Sequence, residues 1–138
     1  MELTATTMMS LDGVTQAPGG PEEDTSGGFE LGGWAMPYFG DDGAQSVREN
    51  FARADAFLLG RRTYEIFAAY WPHADPANPI AAALNSLPKH VVSSTLSELS
   101  WDGASLVEGD PIEAIAELKR RPRRGRSGWS RRRASAGH

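Results

Sequence analysis

Two arginines and a threonine stand directly after a glycine in the middle of the chain. Gly60 closes a short apolar run, residues 56–59, which is typical of a buried parallel strand. From Arg61 onward the apolar residues recur at helical spacing, so a helix is expected to begin at the glycine. Arg61, Arg62 and Thr63 would then surround unpaired N–H groups at a helix start, which favours phosphate binding. An ordinary strand-to-helix turn with two solvated arginines explains the same residues.

A row of small hydroxyl side chains follows a second apolar segment. Residues 89–96 are predicted to form a buried strand, with Ser93, Ser94 and Thr95 toward its end. Ligands of open α/β sheets bind outside the carboxyl ends of the strands, so these hydroxyls suit a nucleotide phosphate or ribose. A strand end capped by serine and threonine is the alternative.

A carboxylate and a long loop provide further candidates near the start of the chain. Asp12 follows a predicted first strand, Glu2 to Met9, and is either a functional carboxylate or simply the turn former of Asp-Gly. Residues 16–44 are rich in glycine and proline, and loops of this length are lids, binding loops or disordered segments. Phe29 and Trp34 argue against disorder. We expect a lid that contacts a ligand, although these aromatics could also only fasten the loop to the core.

The remaining elements alternate along the chain. Short helices are predicted over residues 45–54 and 80–87, and a strand over 104–107. Asp110 and Pro111 form a good helix start, and Ile112 begins the expected buried stripe of that helix. Helices and strands in alternation predict an α/β sheet in one domain.

Composition excludes several classes of protein. The 138 residues include no cysteine, which excludes disulfides and thiolate metal sites and fits a reducing compartment. No His, Cys or carboxylate stands at metal-ligand spacing from His73 or His90 in the sequence, so we expect no metal site. The sequence has no basic, apolar signal segment and no apolar run of about 20 residues, so we expect a cytoplasmic protein without a membrane partner.

Three ordered motifs resemble one known superfamily. Gly60-Arg61-Arg62-Thr63-Tyr64-Glu65 is similar to the Gly-Arg-x-Thr-(Trp/Tyr)-Glu segment of dihydrofolate reductases and of the reductase domain of riboflavin biosynthesis. Ser10-Leu11-Asp12-Gly13 resembles a tetrapeptide of the riboflavin-type reductases, and His90 to Thr95 resembles the superfamily's second cofactor segment. The resemblance covers about residues 1–119.

The resemblance implies a fold and a reaction. The fold would be a dihydrofolate-reductase-like α/β domain, with a mixed, mostly parallel sheet flanked by helices and lacking its last strands. The chemistry would be hydride transfer from NADPH to a small heterocyclic or carbonyl substrate, as in 5-amino-6-(5-phosphoribosylamino)uracil reductase or dihydrofolate reductase. A homodimer is implied if the fold is complete enough.

The resemblance also assigns residues to roles. The phosphates of NADPH would be bound by Gly60, Arg61, Arg62 and Thr63, and its adenosine end by Ser93, Ser94 and Thr95. Asp12 would face the substrate as the candidate catalytic group, with Phe29 and Trp34 beside it.

The end of the chain has a different composition. Residues 119–138 carry nine of the fourteen Lys and Arg residues and no acid, whereas residues 1–118 hold eighteen acids against five bases, a net charge of −13. We therefore divide the chain into a reductase-like domain, 1–119, and a disordered tail, 120–138. An out-of-frame reading of a GC-rich gene explains this tail, and a basic arm for nucleic acid is the rival that we do not favour. A truncated domain that is inactive, or that binds a nucleotide without turnover, is the alternative function.

Overall fold

The structure of this chain is a computed structural model, described here for residues 1–123. These residues belong to two compact units: Ala5–Leu106 forms the larger, and Met1–Thr4 together with the residues from Val107 onward forms the smaller. No helix within residues 1–123 is long and apolar enough to cross a membrane. Residues 124–138 of the predicted tail lie outside the described residues. The domain boundary predicted at residue 119 stays a prediction.

The larger unit contains a sheet of three parallel strands. Strand β1 is Phe57–Gly60, β2 is Lys89–Val92 and β3 is Ala104–Leu106, in the spatial order β1-β2-β3. Gly60 lies opposite Val92 in the first pair, and Lys89 lies opposite Ala104 in the second. This α/β arrangement confirms the predicted fold class, a dihydrofolate-reductase-like α/β sheet, and the last strands of that fold are absent within residues 1–123.

Among the described residues, three α-helices lie in the larger unit and one in the smaller. Their bounds are α1 Asp41–Ala52, α2 Arg61–Tyr70, α3 Pro79–Ser86 and α4 Pro111–Arg120. Helix α1 begins four residues before its predicted start at Gln45, since the acidic side chains of its first two residues are favoured by the helix dipole. A short 3-10 turn, Trp71–His73, follows α2 because Pro72 cannot continue an α-helix.

The core of the larger unit lies where α2 and α3 meet the sheet. Its buried side chains are Leu59, Tyr64, Leu84, Val91 and Trp101. The N–H of Trp101 donates to the Tyr64 hydroxyl at 3.3 Å, and the Trp101 ring nitrogen donates to Asn85 at 2.8 Å. These bonds fix α2 and α3 against the segment that leads into β3. The start of α2 therefore has a defined position at the carboxyl end of β1.

Lys89, the first residue of β2, is completely buried. Its ammonium donates to the carbonyl oxygens of Leu84 and Leu87 at 2.6 and 2.9 Å and lies 4.5 Å from the centre of the Trp101 ring. Burial lowers the pKa of Lys89, and the negative charge of Asp102 opposes that shift. The buried ammonium joins the end of α3 to the start of β2.

The prediction of a first strand over Glu2 to Met9 was wrong. Residues 2–9 contain no strand, and Leu3 and Met9 remain largely exposed. A strand is stable when a neighbour takes its backbone hydrogen bonds and a core covers one face, and exposed apolar side chains indicate that this cover is missing. Alternation of residue types in this segment was too weak to specify a buried face.

The described part of the smaller unit consists of α4 and short stretches without regular secondary structure. The Met1 ammonium donates to the carbonyl oxygens of Lys119 and Arg121 at the end of α4, where the helix dipole favours positive charge. Asp110 caps the helix as predicted, with its carboxylate accepting from Ile112 N–H at 2.9 Å. The prediction that Ile112 is buried was wrong, since its side chain is 78% exposed. Among residues 1–123, too few others belong to this unit to cover every turn of the helix.

Candidate functional site

The two segments predicted to bind a nucleotide lie side by side at the carboxyl ends of β1 and β2. Because β1 and β2 are parallel with Gly60 opposite Val92, the residues that follow each strand leave the sheet at the same level. Arg61 Nη1 donates a hydrogen bond of 2.8 Å to Thr95 Oγ1. This bond joins the start of α2 to the turn after β2, so residues 60–63 and 93–95 form one site.

Helix α2 begins differently from the other described α-helices. The side chains of Asn78 and Asp110 cap α3 and α4, and α1 carries two acidic residues in its first turn. Helix α2 follows Gly60 with neither a side-chain cap nor an acidic first turn, and its first residues are Arg61 and Arg62. Its first N–H groups, its dipole and two guanidinium groups can therefore all serve an anion.

Open space lies in front of Gly60. The residue has φ −78° and ψ 167°, an extended conformation that any amino acid adopts, and an added Cβ would meet no atom within 4 Å. Neither the backbone nor the packing requires glycine here. Its absent side chain leaves room for a group that approaches the first N–H groups of α2, as a phosphate would.

Arg61 is held from two directions. Besides the bond to Thr95, its Nε lies 3.4 Å from the Glu65 carboxylate, one helical turn further on. Both side chains are about half exposed, so this ion pair contributes little to stability, and its main effect is to orient the guanidinium. Sequence reasoning missed Glu65 in this role, although the i,i+4 spacing of Arg and Glu was a signal for it.

The hydroxyl groups of the site differ in the hydrogen bonds that they already make. Ser93 Oγ accepts from the N–H groups of Thr95 and Leu96 at 3.2 and 3.1 Å, so it shapes the turn after β2 and keeps its own proton to donate. Ser94 and Thr63 are exposed and make no side-chain hydrogen bond within the described residues. Those two hydroxyls are available to a ligand.

Asp12 lies in the tight turn formed by residues 10–13. The Gly13 N–H donates to the Ser10 carbonyl at 3.0 Å, and Gly13 has a positive φ of 89°, which explains the glycine. The Ser10 hydroxyl donates to Asp12 at 2.5 Å and, with a bond from the residue's own backbone, lowers the pKa of Asp12. The carboxyl group is thus kept ionised and acts as a hydrogen-bond acceptor.

The predicted lid is a folded loop. We call residues 16–40 the glycine-rich loop. The Trp34 ring nitrogen donates to the Gln16 carbonyl at 2.8 Å, so Trp34 fastens the loop on itself. Phe29 is one of the residues that line an open pocket of about 370 Å³, made by Pro21, Glu22, Thr25, Gly28, Phe29 and Glu30. Trp34 therefore has a structural role within the loop, whereas Phe29 lies at a surface pocket.

The glycine-rich loop also reaches the start of α2. Arg62 Nη1 lies 3.5 Å from Ser26 Oγ, and Asp24 accepts two hydrogen bonds from Ser26, from its N–H at 3.0 Å and from its hydroxyl at 2.5 Å. These hydrogen bonds and, more weakly, the charge of Arg62 lower the pKa of Asp24. Sequence reasoning missed Asp24 and Ser26, although Asp-x-Ser is a known turn signal.

Comparison with known proteins identifies a family. Residues 2–127 match the sequence model of the RibD C-terminal domain. A comparison with curated proteins found no match. The matched range includes every residue of the site described above, and the parallel sheet agrees with the fold expected for the family. The chain therefore belongs to the RibD C-terminal domain family, whose members are reductase-type domains of riboflavin biosynthesis.

Proposed function

We propose that this chain is an NADPH-dependent reductase that transfers a hydride to a small heterocyclic or carbonyl substrate. Family membership supports a reductase-type domain, and such domains generally bind NADPH. The observation that carries the proposal is the Arg61–Thr95 hydrogen bond, because it joins an uncapped, arginine-flanked helix start to a hydroxyl-rich turn.

The residues at these strand ends fit the chemistry of NADPH. Phosphate oxygens would accept from the first N–H groups of α2 and from the side chains of Arg61, Arg62 and Thr63, in the space in front of Gly60. Ser93, Ser94 and Thr95 would hold the adenosine end. When bound, NADPH supplies the hydride, and the protein binds and orients it.

The substrate side is assigned to the start of the chain. The ionised carboxylate of Asp12 would accept an N–H or O–H group of the substrate, which suits an amino- or amide-bearing heterocycle. Phe29 offers an aromatic face at the surface pocket of the glycine-rich loop, and Trp34 holds that loop in shape. The substrate is a small molecule, and the homodimer implied by the resemblance stays a prediction.

A titration with NADPH tests the proposed cofactor site. Energy transfer from the four tryptophans would be followed in the parent chain, in an Arg61→Ala, Thr63→Ala double variant, and in Arg48→Ala. Loss of charge-assisted hydrogen bonds should weaken binding by the double variant at least about tenfold. Arg48 lies on the exposed side of α1, so its variant loses the same charge and should bind as the parent does.

NADPH oxidation distinguishes the reductase from its alternative. Oxidation with a pterin, an aminopyrimidine or a small carbonyl compound would support the reductase. Saturable binding without oxidation of NADPH by any of these compounds would favour a domain that binds a nucleotide without turnover. Absence of saturable NADPH binding by a folded parent chain would contradict the proposed function.

A further inference from the structure

Arg62 lies between the start of α2 and the glycine-rich loop. It is the second residue of α2, beside the helix N–H groups assigned above to phosphate, and its Nη1 lies 3.5 Å from Ser26 Oγ in the glycine-rich loop. Ser26 is in turn bonded twice to the Asp24 carboxylate, at 3.0 and 2.5 Å. The guanidinium thus faces a hydroxyl and a nearby negative charge, both supplied by the loop.

The contacted segment, residues 24–26, is connected directly to the rest of the loop through Gln16. The Gln16 side-chain amide donates to the carbonyl oxygens of Asp24 and Ser26 at 3.1 and 2.9 Å. The Gln16 backbone carbonyl accepts from the ring nitrogen of Trp34 at 2.8 Å. A displacement of segment 24–26 is therefore transmitted through one residue to Trp34.

A phosphate group is a stronger partner for Arg62 than the loop is. The bond to Ser26 is long, exposed and directed at a neutral hydroxyl, whereas phosphate accepts two parallel, charge-assisted bonds from one guanidinium. An end-on fork with phosphate uses both Nη atoms of the guanidinium, so a phosphate bound in this way competes with Ser26 for Nη1. Asp24 and a bound phosphate then compete for the same cation.

We propose that Arg62 is a latch between the glycine-rich loop and the cofactor site, which holds the loop in the free protein and releases it when a phosphate-bearing cofactor binds. The inference rests on the proposed function and adds a regulation to that site. Because coupling between two equilibria is reciprocal, any change that weakens the hold of the loop on Arg62 strengthens cofactor binding. Release of the loop would let Trp34 and Phe29 change position only after the cofactor is present.

Hydrogen exchange of the loop, measured on the full chain by mass spectrometry, tests the latch. In the parent, saturating NADPH should speed amide exchange in residues 16–35 while slowing it at the start of α2. In Ser26→Ala, residues 24–26 should exchange faster than in the parent without ligand, and NADPH should add little further increase there. Asp24→Asn should bind NADPH about two- to fivefold more tightly, the range of one exposed charge interaction.

A matched variant separates the latch from a general charge effect. Glu22→Gln removes the same charge from an exposed position of the loop but leaves the contacts among Asp24, Ser26 and Arg62 intact. It should keep the parent's loop exchange and gain less affinity than Asp24→Asn. Equal gains in the two variants, or loop exchange that slows on NADPH binding, would overturn the latch and leave the cofactor site standing. Failure of both NADPH and inorganic pyrophosphate to bind the parent would overturn the cofactor site and the latch together.

Discussion

At the scale of single residues, Arg61 is a preorganised binding group. Its guanidinium is held by Thr95 at 2.8 Å and by Glu65 at 3.4 Å before any ligand arrives. Less side-chain entropy is then lost when an anion binds than for an arginine that points freely into solvent. A lysine would be a poorer replacement, because an ammonium lacks the rigid planar fork that offers two parallel N–H donors to a phosphate.

Buried Lys89 predicts a pH dependence of stability. Burial lowers its pKa in the folded chain below the ordinary value of 10.5 that applies when the chain is unfolded. Between these two values the unfolded chain binds more protons than the folded chain, so the free energy of unfolding rises as pH increases toward 10.5. Denaturant unfolding of the parent and of Lys89→Met over this alkaline range should reveal that rise in the parent alone.

The Lys89→Met variant should also be less stable at neutral pH. Methionine fills the volume but leaves the carbonyl oxygens of Leu84 and Leu87 without donors, which costs about 1–3 kcal/mol for a buried acceptor. Lys119→Met on the exposed surface of α4 is the control, and it should retain the parent's dependence on pH. A parallel rise in the parent and in Lys89→Met would rule out Lys89 as its source.

At the scale of elements, the start of α2 has neither the side-chain cap of α3 and α4 nor the acidic first turn of α1. A carboxylate placed at Gly60 would accept from the first N–H groups and oppose the helix dipole. Gly60→Asp should therefore raise the free energy of unfolding by about 0.5–1 kcal/mol. The same carboxylate would occupy the phosphate position and repel it, so NADPH affinity should fall at least about tenfold. Chemical denaturation and the NADPH titration measure the two effects.

Gly40 provides a control for this trade between stability and binding. It precedes α1 with an extended backbone, φ −80° and ψ −171°, and open space where a Cβ would stand. Gly40→Asp should leave NADPH affinity unchanged and stabilise the chain less, since Asp41 and Asp42 already occupy that first turn. Equal losses of affinity in the two variants would argue against a specific role for the start of α2.

The same elements explain how far the sequence could be interpreted. Strands β1 and β3 and helices α2 and α3 lie close to their predicted positions, because each combines an apolar pattern with a clear stop or start at Gly or Pro. Strand β2 begins at Lys89 as predicted but ends at Val92, since residues 93–95 form a turn instead of the last part of the predicted strand 89–96. Residues 2–9 had no such boundary and no strong alternation, and they form no strand. The candidate site was predicted by motif, but its contacts with Glu65, Asp24 and Ser26 depend on tertiary packing that local patterns do not encode.

At the scale of the whole molecule, the described core is small. Five side chains make up the buried cluster of the larger unit, and the described sheet has three strands, so two of them are at its edges. Large apolar side chains such as Leu11 and Tyr38 are almost fully exposed. Small cores bury too little apolar surface to give a wide margin of stability, and open sheet edges add a risk of association. Ligand binding should therefore change the stability of this chain noticeably.

Thermal melting with and without NADPH measures that change. A ligand that binds only the folded state, present at about 100 times its Kd, stabilises by about 2.7 kcal/mol. For a chain of this size that gain should raise the melting temperature by roughly 5–15 °C. Gly60→Asp is the control, because it keeps the fold but fills the phosphate position. With an affinity at least about tenfold lower, it should gain no more than about 1.4 kcal/mol at the same NADPH concentration, about half the parent's gain. A parent chain that binds NADPH in the titration yet melts at an unchanged temperature would mean that NADPH binds the unfolded chain equally well, which is incompatible with a site built from the juxtaposed ends of β1 and β2.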